Sequence, residues 1–164
     1  MQRYHVRRPD KEIQSPAEML AVLRAGSVVT IAMARGDEPY MVSLNYVYDD
    51  AGGDLVFHCA TAGKKLDFLQ ANPTVWAQVV EDNGYLAGEC SWAYRCVQMR
   101  GHVEWVEDAE EKRRILGVMI DAMEPNPAEV RRQMIERSTL KNVLVGRLRI
   151  EEMTGKESPP PHKG

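Results

Sequence analysis

Residues 39–60 read PYMVSLNYVYDDAGGDLVFHCA, and this run limits the possible folds more than any other. Tyr40, Val42, Leu44, Tyr46 and Tyr48 alternate with Met41, Ser43, Asn45 and Val47. A period of two marks a strand whose faces meet different surroundings. The glycine-bearing stretch Asp49 to Asp54 makes a short turn, and DLVFHCA resumes as the third strand, the one before both being SVVTIAMARG. Strands joined so closely pair antiparallel, because a parallel pair needs a crossover of a dozen or more residues.

The same pattern recurs along the chain. SVVTIAMARG is rich in β-branched residues and stops at Gly36-Asp37. TVWAQVVED reads as a strand, residues 83–92 are less regular, and RCVQMRGHVEWV alternates again with Gly101 marking a bulge. NVLVGRLRIEEMTGK reads as the last strand. Helices are signalled separately. In SPAEMLAVLRAG, Ser15 caps, Pro16 opens the first turn, Glu18 completes a capping box and Gly26 stops the helix. A short helix follows Gly63 and ends near Asn72-Pro73. EDAEEKRRILGVMIDAM carries Ile115, Leu116, Met119, Ile120 and Met123 at helical spacing, and another short helix starts at Asn126-Pro127. About six strands with few long crossovers predict a mainly β fold, a small antiparallel barrel with helices packed outside it. Residues 1–14 read as a polar arm, 15–156 as one domain and 157–164 as a Pro-rich, disordered tail.

Composition narrows the function. The chain has 164 residues, 44% of them hydrophobic and 27% charged, with a formal net charge of −3. That balance offers no basic surplus for nucleic acid. No apolar run approaches the roughly 18 residues of a membrane span. Cys59, Cys90 and Cys96 lack disulfide-like spacing and read as reduced thiols of a cytoplasmic protein.

Lys64 and Lys65 begin the helix that follows the third strand. A helix N-terminus repels cations, at a cost of about 0.3–1 kcal/mol for each. Most lysine pairs are simply solvated. Here Gly63 lets the backbone come close to a ligand, Thr61 offers a hydroxyl, and the first-turn N–H groups have no partner within the helix. Together these make an anion site, for which phosphate is the usual occupant. It is not a nucleotide P-loop, since His58 stands where that motif needs glycine, and no GxGxxG fingerprint is present.

RRPDKEI, PYMVSLNYVYD, LVFHCATAGKKLDFLQANPTVW and CSWAYRCVQMRGHVEWVEDAEEK, in this order, resemble the FMN-binding split-barrel family, the pyridoxamine-phosphate-oxidase-like group. Within it the chain looks most similar to the nitroimidazole-resistance branch. The resemblance runs from about Arg7 to Lys156. It implies a six-stranded antiparallel split β-barrel and a homodimer with FMN in the interface. It implies that a basic pair, matching Lys64 and Lys65, holds the FMN phosphate, that Ser43, Leu44 and Asn45 line the flavin ring, that His58 and Thr61 at the end of the third strand contribute, and that residues near Trp92, Arg95 and Gln98 come from the partner. Beside the resemblance, Thr61 is expected to join the lysines on the phosphate, and Val42 to join Ser43, Leu44 and Asn45 in setting the ring's electronics. The leading expectation is an FMN-dependent oxidoreductase whose substrate is a small nitro-aromatic or another electron-poor ring stacking on the open flavin face, with His58 as the candidate catalytic proton donor. The alternative is a non-catalytic FMN- or haem-binding carrier or sensor, with His58 as the haem's axial ligand. Two departures bear on the substrate. RLRIEEMTGKESPPP lacks the additional basic residues that oxidases use for the phosphate of pyridoxamine phosphate, and Cys96 stands where they have a phosphate-holding glutamine.

Other candidates have plainer readings. His58 is either a flavin neighbour or a partly buried histidine with a backbone partner. Cys96 and His102 share a strand face but lie roughly 20 Å apart at about 3.3 Å per residue, too far to share zinc. Trp76, Trp92 and Trp105 read as core or interface anchors. Lys112, Arg113 and Arg114 are balanced by Glu110 and Glu111, and Arg3, Arg7 and Arg8 read as part of a loose arm.

Overall fold

The computed structural model describes residues 6–136 and 140–158. A 3-10 turn over Pro9–Lys11 leads into β1 (Glu12–Ile13), α1 (Pro16–Ala25), β2 (Val28–Arg35), β3 (Glu38–Asn45), β4 (Val47–Asp49) and β5 (Asp54–Cys59). Then come α2 (Lys64–Ala71), β6 (Thr74–Leu86), β7 (Ser91–Trp105), α3 (Ala109–Met123), α4 (Pro127–Arg131), a π-helical turn over Arg132–Glu136, and β8 (Leu144–Ser158). All pairings among the described residues are antiparallel, in the order β3-β2-β6-β7-β8-β5-β4, with β1 added on β8. Six strands are long, while β1 and β4 have two and three residues. The fold is thus the expected antiparallel split barrel with flanking helices. β1 draws Glu12 and Ile13, within the segment assigned to an arm, into the sheet, where Ile13 is buried. At the other end β8 includes Glu157 and Ser158. Residues 1–5 of the expected arm and 159–164 of the expected tail lie outside the described residues.

The strand read as continuous through Tyr48 breaks at Tyr46. Its facing still alternates as expected: Tyr40, Val42, Leu44, Tyr46 and Tyr48 all pack on the main core. The break comes from tertiary contacts. The Tyr46 N–H donates to Ser27 O at 3.1 Å, and its buried hydroxyl donates to Leu23 O at 2.7 Å. These bonds pin the chain to the end of α1, so it leaves β2 and crosses to β5. The two end strands of the sheet are therefore consecutive in the chain, and the barrel closes through Tyr46 rather than through a ladder.

The stretch 83–92, read as irregular, is instead the tip of a long β6–β7 hairpin. Its pattern is disturbed by a bulge between Asp82 and Tyr85, while pairing continues to Leu86 and Ser91. The irregularity expected at Gly101 is present, but the extra residue is in β8. Arg100 pairs with Glu152 and Gly101 with Ile150, leaving Glu151 unmatched. This shift lets Leu148 and Ile150 on one side, and Met153 on the other, all face the same core.

Two apolar cores result. The barrel interior holds Val22, Leu23, Ile31, Phe57, Met99 and Leu148, all at most 1% exposed. Burying each such large side chain contributes about 1.5–3 kcal/mol. Val56, Ile115, Met119 and Val145 form a smaller core between the outside of the barrel and α3. Ser15 caps α1 by accepting from Glu18 N–H, and Asp108 caps α3 by accepting from Glu111 N–H at 2.8 Å. Among the described residues no helix is long and apolar enough to cross a membrane.

A chain of charges ties β7, β8, β5 and β4 to α3. Arg149 donates to Glu104 Oε2 at 2.9 Å and to buried Asp54 Oδ2 at 2.5 Å. Arg114 reaches buried Asp49 Oδ2 at 2.5 Å and Glu111 Oε2 at 2.7 Å, and Arg147 joins it on Glu111. His102 lies between Glu151 and Glu104, at 2.9 and 3.1 Å. The hydrogen bonds from Arg114, supported by those from Arg147, hold the Glu111 carboxyl at about 2, below its ordinary 4.5. Bonds to Glu151 and Glu104 push His102 above its ordinary 6.5. The lowered carboxyl stabilises fully above about pH 4.5 and loses its contribution as pH falls toward about 2. The raised imidazole stabilises below its ordinary value and loses its contribution as pH rises through the raised one. The urea midpoint is expected to fall between about pH 5 and about pH 3, and Glu111→Gln is expected to blunt that fall. Equal acid slopes for the two proteins in urea unfolding would remove this role.

Candidate functional site

β5 ends at Cys59, and residues 60–63 carry the chain to α2. Gly63 sits at the cap position with φ 135° and ψ 161°, a region only glycine occupies readily. Being glycine, it brings no side-chain acceptor to the first-turn N–H groups, of which that of Leu66 donates to Gly63 O at 2.9 Å; such a helix end carries partial positive charge. Thr61 is exposed beside them.

The two lysines have different surroundings. Lys64 Nζ donates to Glu38 Oε1 at 2.9 Å and lies over the rings of Tyr40 and Phe68, 4.9 and 5.3 Å from their centroids. Its bond, with that of Arg35, lowers the Glu38 carboxyl. Lys64 thus has its counter-charge within the chain. Lys65 is half-buried and has no carboxylate partner among the described residues. Its charge opposes the upward push that burial gives the Cys59 thiol.

The outer face of the sheet brings several of the sequence candidates into line. Ser43, Thr30, Gln78, Gln98 and Thr154 stand opposite one another across β3, β2, β6, β7 and β8. Ser43 Oγ and Thr30 Oγ1 are 3.0 Å apart, and Gln98 Nε2 donates to Gln78 Oε1 at 3.0 Å. Around this polar row Val28, Met41 and Val80 are about half exposed or more, at 48%, 64% and 49%. Asn45 shares the outward side of β3 and donates through Nδ2 to Ser27 O at 3.3 Å. Val42 and Leu44 turn inward against the core. β3 is the end strand, so its far edge has no ladder partner among the described residues.

The hairpin candidates divide between faces. Trp92 is half exposed at the tip, where its Nε1 donates to Asp82 and its ring lies 5.5 Å from that of Tyr85. That bond, with one from Gly84 N–H, lowers the Asp82 carboxyl. Gln98 is on the same face of β7 as Trp92. Arg95 is in step with buried Ala93 and Val97, and is spent on Glu81 Oε2 at 2.5 and 3.1 Å.

His58 turns away from the barrel interior. Leu55 and Phe57 point inward, whereas His58 follows Val56 toward α3. It stands on the wall of a cavity of about 420 Å³ bounded by α3, α4, the π-helical turn and residues 140–143. The sequence reading took the α3 methionines as core and did not find this cavity. The available signal was a run of methionines, Met119, Met123 and Met134, that continues past the break at Asn126-Pro127.

Comparison with known proteins agrees with this architecture. A protein from Rhizobium meliloti, itself uncharacterized, is 30% identical over 69 residues, a match spanning 42% of this chain and 44% of that protein. An FAD-binding protein from Mesorhizobium loti is 27% identical, with a TM-score of 0.63 over 88% of this chain and 95% of the other. A candidate 5-nitroimidazole antibiotic resistance protein from Bacteroides thetaiotaomicron is 24% identical, with a TM-score of 0.72 over 88% and 85%. A flavocytochrome from Azotobacter vinelandii superposes with a TM-score of 0.81 over all of this chain and 78% of its own, at 20% identity. The family model described as pyridoxamine 5'-phosphate oxidase matches residues 15–157, which takes in α1 to α4 and, apart from Ser158 of β8, every long strand. With the split barrel, the β5–α2 turn and the long β6–β7 hairpin all inside that match, the chain belongs to the pyridoxamine 5'-phosphate oxidase family.

Proposed function

We propose that the chain is an FMN-dependent oxidoreductase that reduces small nitro-aromatic compounds, with FMN held between two copies of the chain. The α2 tip carries this reading. No side chain caps the first turn, Gly63 admits close approach, Thr61 is exposed beside it and Lys65 has no carboxylate partner among the described residues, a combination suited to a phosphate dianion. Lys64 adds its field from its place on Glu38. The open edge of β3 over Val42–Asn45 offers backbone donors and acceptors to a flavin ring, with Ser43 and Asn45 facing outward. The FAD-binding relative supports a flavin as the ligand type.

Bound FMN supplies the passage of electrons from a reductant to the substrate. The chain's own residues hold its phosphate, align its ring and, at the imidazole nitrogens of His58, hold or release a proton beside the cavity. Arg147 and Arg149 of β8 are committed to Asp54, Glu104 and Glu111. They are not available for a second phosphate, which favours a substrate other than pyridoxamine phosphate. Exposed Val28, Met41 and Val80, flanking the polar row, suit a second copy related by a two-fold axis. That copy would bring its own Trp92 and Gln98 toward the flavin.

The test is size-exclusion chromatography with light scattering and visible absorbance after addition of FMN. Flavin absorbance is expected to travel with the mass of two chains. Flavin on a single chain would overturn the dimer, and protein free of flavin would overturn the cofactor. A second reading, a haem-binding module, is favoured by one observation: His58 is an imidazole on the wall of an apolar cavity. A haem spectrum in the purified protein, lost in His58→Ala, would select it.

A further inference from the structure

We infer that the cavity beside His58 is a binding chamber for an uncharged, largely apolar molecule of two or three fused or linked rings. The inference deepens the flavin reading by naming a substrate class: that the molecule is reduced there rests on that reading, whereas that it binds there does not.

Size comes first. The chamber holds about 420 Å³, nearly three times the roughly 150 Å³ that accepts one benzene. A single five-membered nitro-heterocycle would leave most of it empty. The volume falls in the range of small-molecule sites, as does an apolar wall with few polar groups.

Chemistry comes second. Leu116, Met119, Ile120 and Met123 of α3 form one wall, and Met134 and Ile135 of the π-helical turn form another. Methionines adapt to ligands of differing outline and make favourable sulfur contacts with aromatic edges. Among the described residues, the charged groups lining the chamber are Glu124 and Lys141, one of each sign, a balance that favours neither anions nor cations. Asn142 and His58 supply hydrogen bonding for a single polar end.

Construction comes third. The wall is shaped by two uncommon backbone features. One is the π-helical turn over Arg132–Glu136, a rare geometry that is frequent at functional sites. The other is Leu140, a buried, non-glycine residue with φ 54°, a conformation that clusters at ligand clamps. The shape is braced from outside. Arg113 Nη1 donates to Ile135 O at 2.6 Å, Arg131 Nη2 to Gly117 O at 3.2 Å, and Lys112 Nζ to Val143 O at 3.4 Å. These bonds fasten the π-helical turn, α4 and residue 143 to α3 without putting a charge inside the chamber.

The test uses the uncharged fluorescent probe N-phenyl-1-naphthylamine, titrated into the full-length protein without added flavin. Saturable binding at one site per chain is expected. Met134→Glu and Met123→Glu, at positions 62% and 43% exposed, are expected to keep the fold and weaken binding about tenfold or more, because a bound apolar molecule would strip water from the new carboxylate. Ala51→Glu, in the exposed turn before β5, should leave binding unchanged. Lack of saturation, or equal loss with Ala51→Glu, would overturn the inference. So would haem retained through purification and lost in His58→Ala, which would give the chamber to haem. FMN bound without probe binding would remove the chamber and leave the flavin reading standing, and probe bound without FMN would support the chamber alone.

Discussion

Replacing Lys65 with alanine is expected to raise the FMN dissociation constant about 10- to 100-fold, the value of one charge-assisted hydrogen bond to a phosphate. Lys64→Ala is expected to change it by less than about fivefold, the scale of an exposed ion pair. The asymmetry follows from the structure. Lys64 already spends its charge on Glu38 at 2.9 Å and on two ring faces, while Lys65 has no such carboxylate among the described residues. Glu38→Gln provides the complementary check. Freed from that carboxylate, Lys64 can turn toward the α2 tip, so FMN should bind more tightly. Quenching of flavin fluorescence in a titration of each variant measures all three. Equal losses for the two lysines, or no loss for Lys65, would take the phosphate away from this helix.

Gly101→Ala is expected to be the most damaging small substitution in the barrel. A Cβ at Gly101 would come within 1.9 Å of the Arg149 carbonyl oxygen and 2.9 Å of its carbon. Those are backbone atoms of β8, one residue before Ile150, the register partner of Gly101, so they cannot swing aside as a flexible side chain would. Overpacking a well-filled interior costs about 1–3 kcal/mol, and a backbone obstacle belongs at the upper end. At about 2–4 °C per kcal/mol for a chain of this size, the melting temperature should drop by roughly 6–12 °C. Calorimetry on the purified variant measures it. Gly36→Ala is the control for a generic glycine effect, because nothing lies within 4 Å of a Cβ there and only its φ of 58° is at stake. If the two variants melted together, the close strand approach would not be what Gly101 serves.

How much of this was legible in the sequence depends on how far apart the interacting residues lie. Features set by a few neighbouring residues were readable: the Ser15 cap, the alternation from Tyr40 to Tyr48, the turn before β5, and a disturbance at Gly101. Features set by distant partners were not. The break at Tyr46 depends on bonds to Leu23 and Ser27. The different fates of Lys64 and Lys65 depend on Glu38, 26 residues before Lys64. Arg95, grouped with Trp92 and Gln98 from the family pattern, falls out of step with them and pairs with Glu81 across the hairpin. The cavity was hidden for another reason. Hydrophobic spacing marks a helix but does not distinguish a π-helical turn from an α-helical one, and that turn brings Met134 and Ile135 to the same wall.

The position of β8 has a bearing on biosynthesis. β8, which follows the other seven strands in sequence, is flanked in the sheet by β7 on one side and β5 on the other, and it also receives β1. Until it arrives, the nascent polypeptide has two open strand edges and a half-lined interior, the kind of surface on which chains associate wrongly. Translation that stalls before Leu144 would therefore release a sticky fragment rather than a shortened domain, and chaperone demand should be greatest until β8 has emerged.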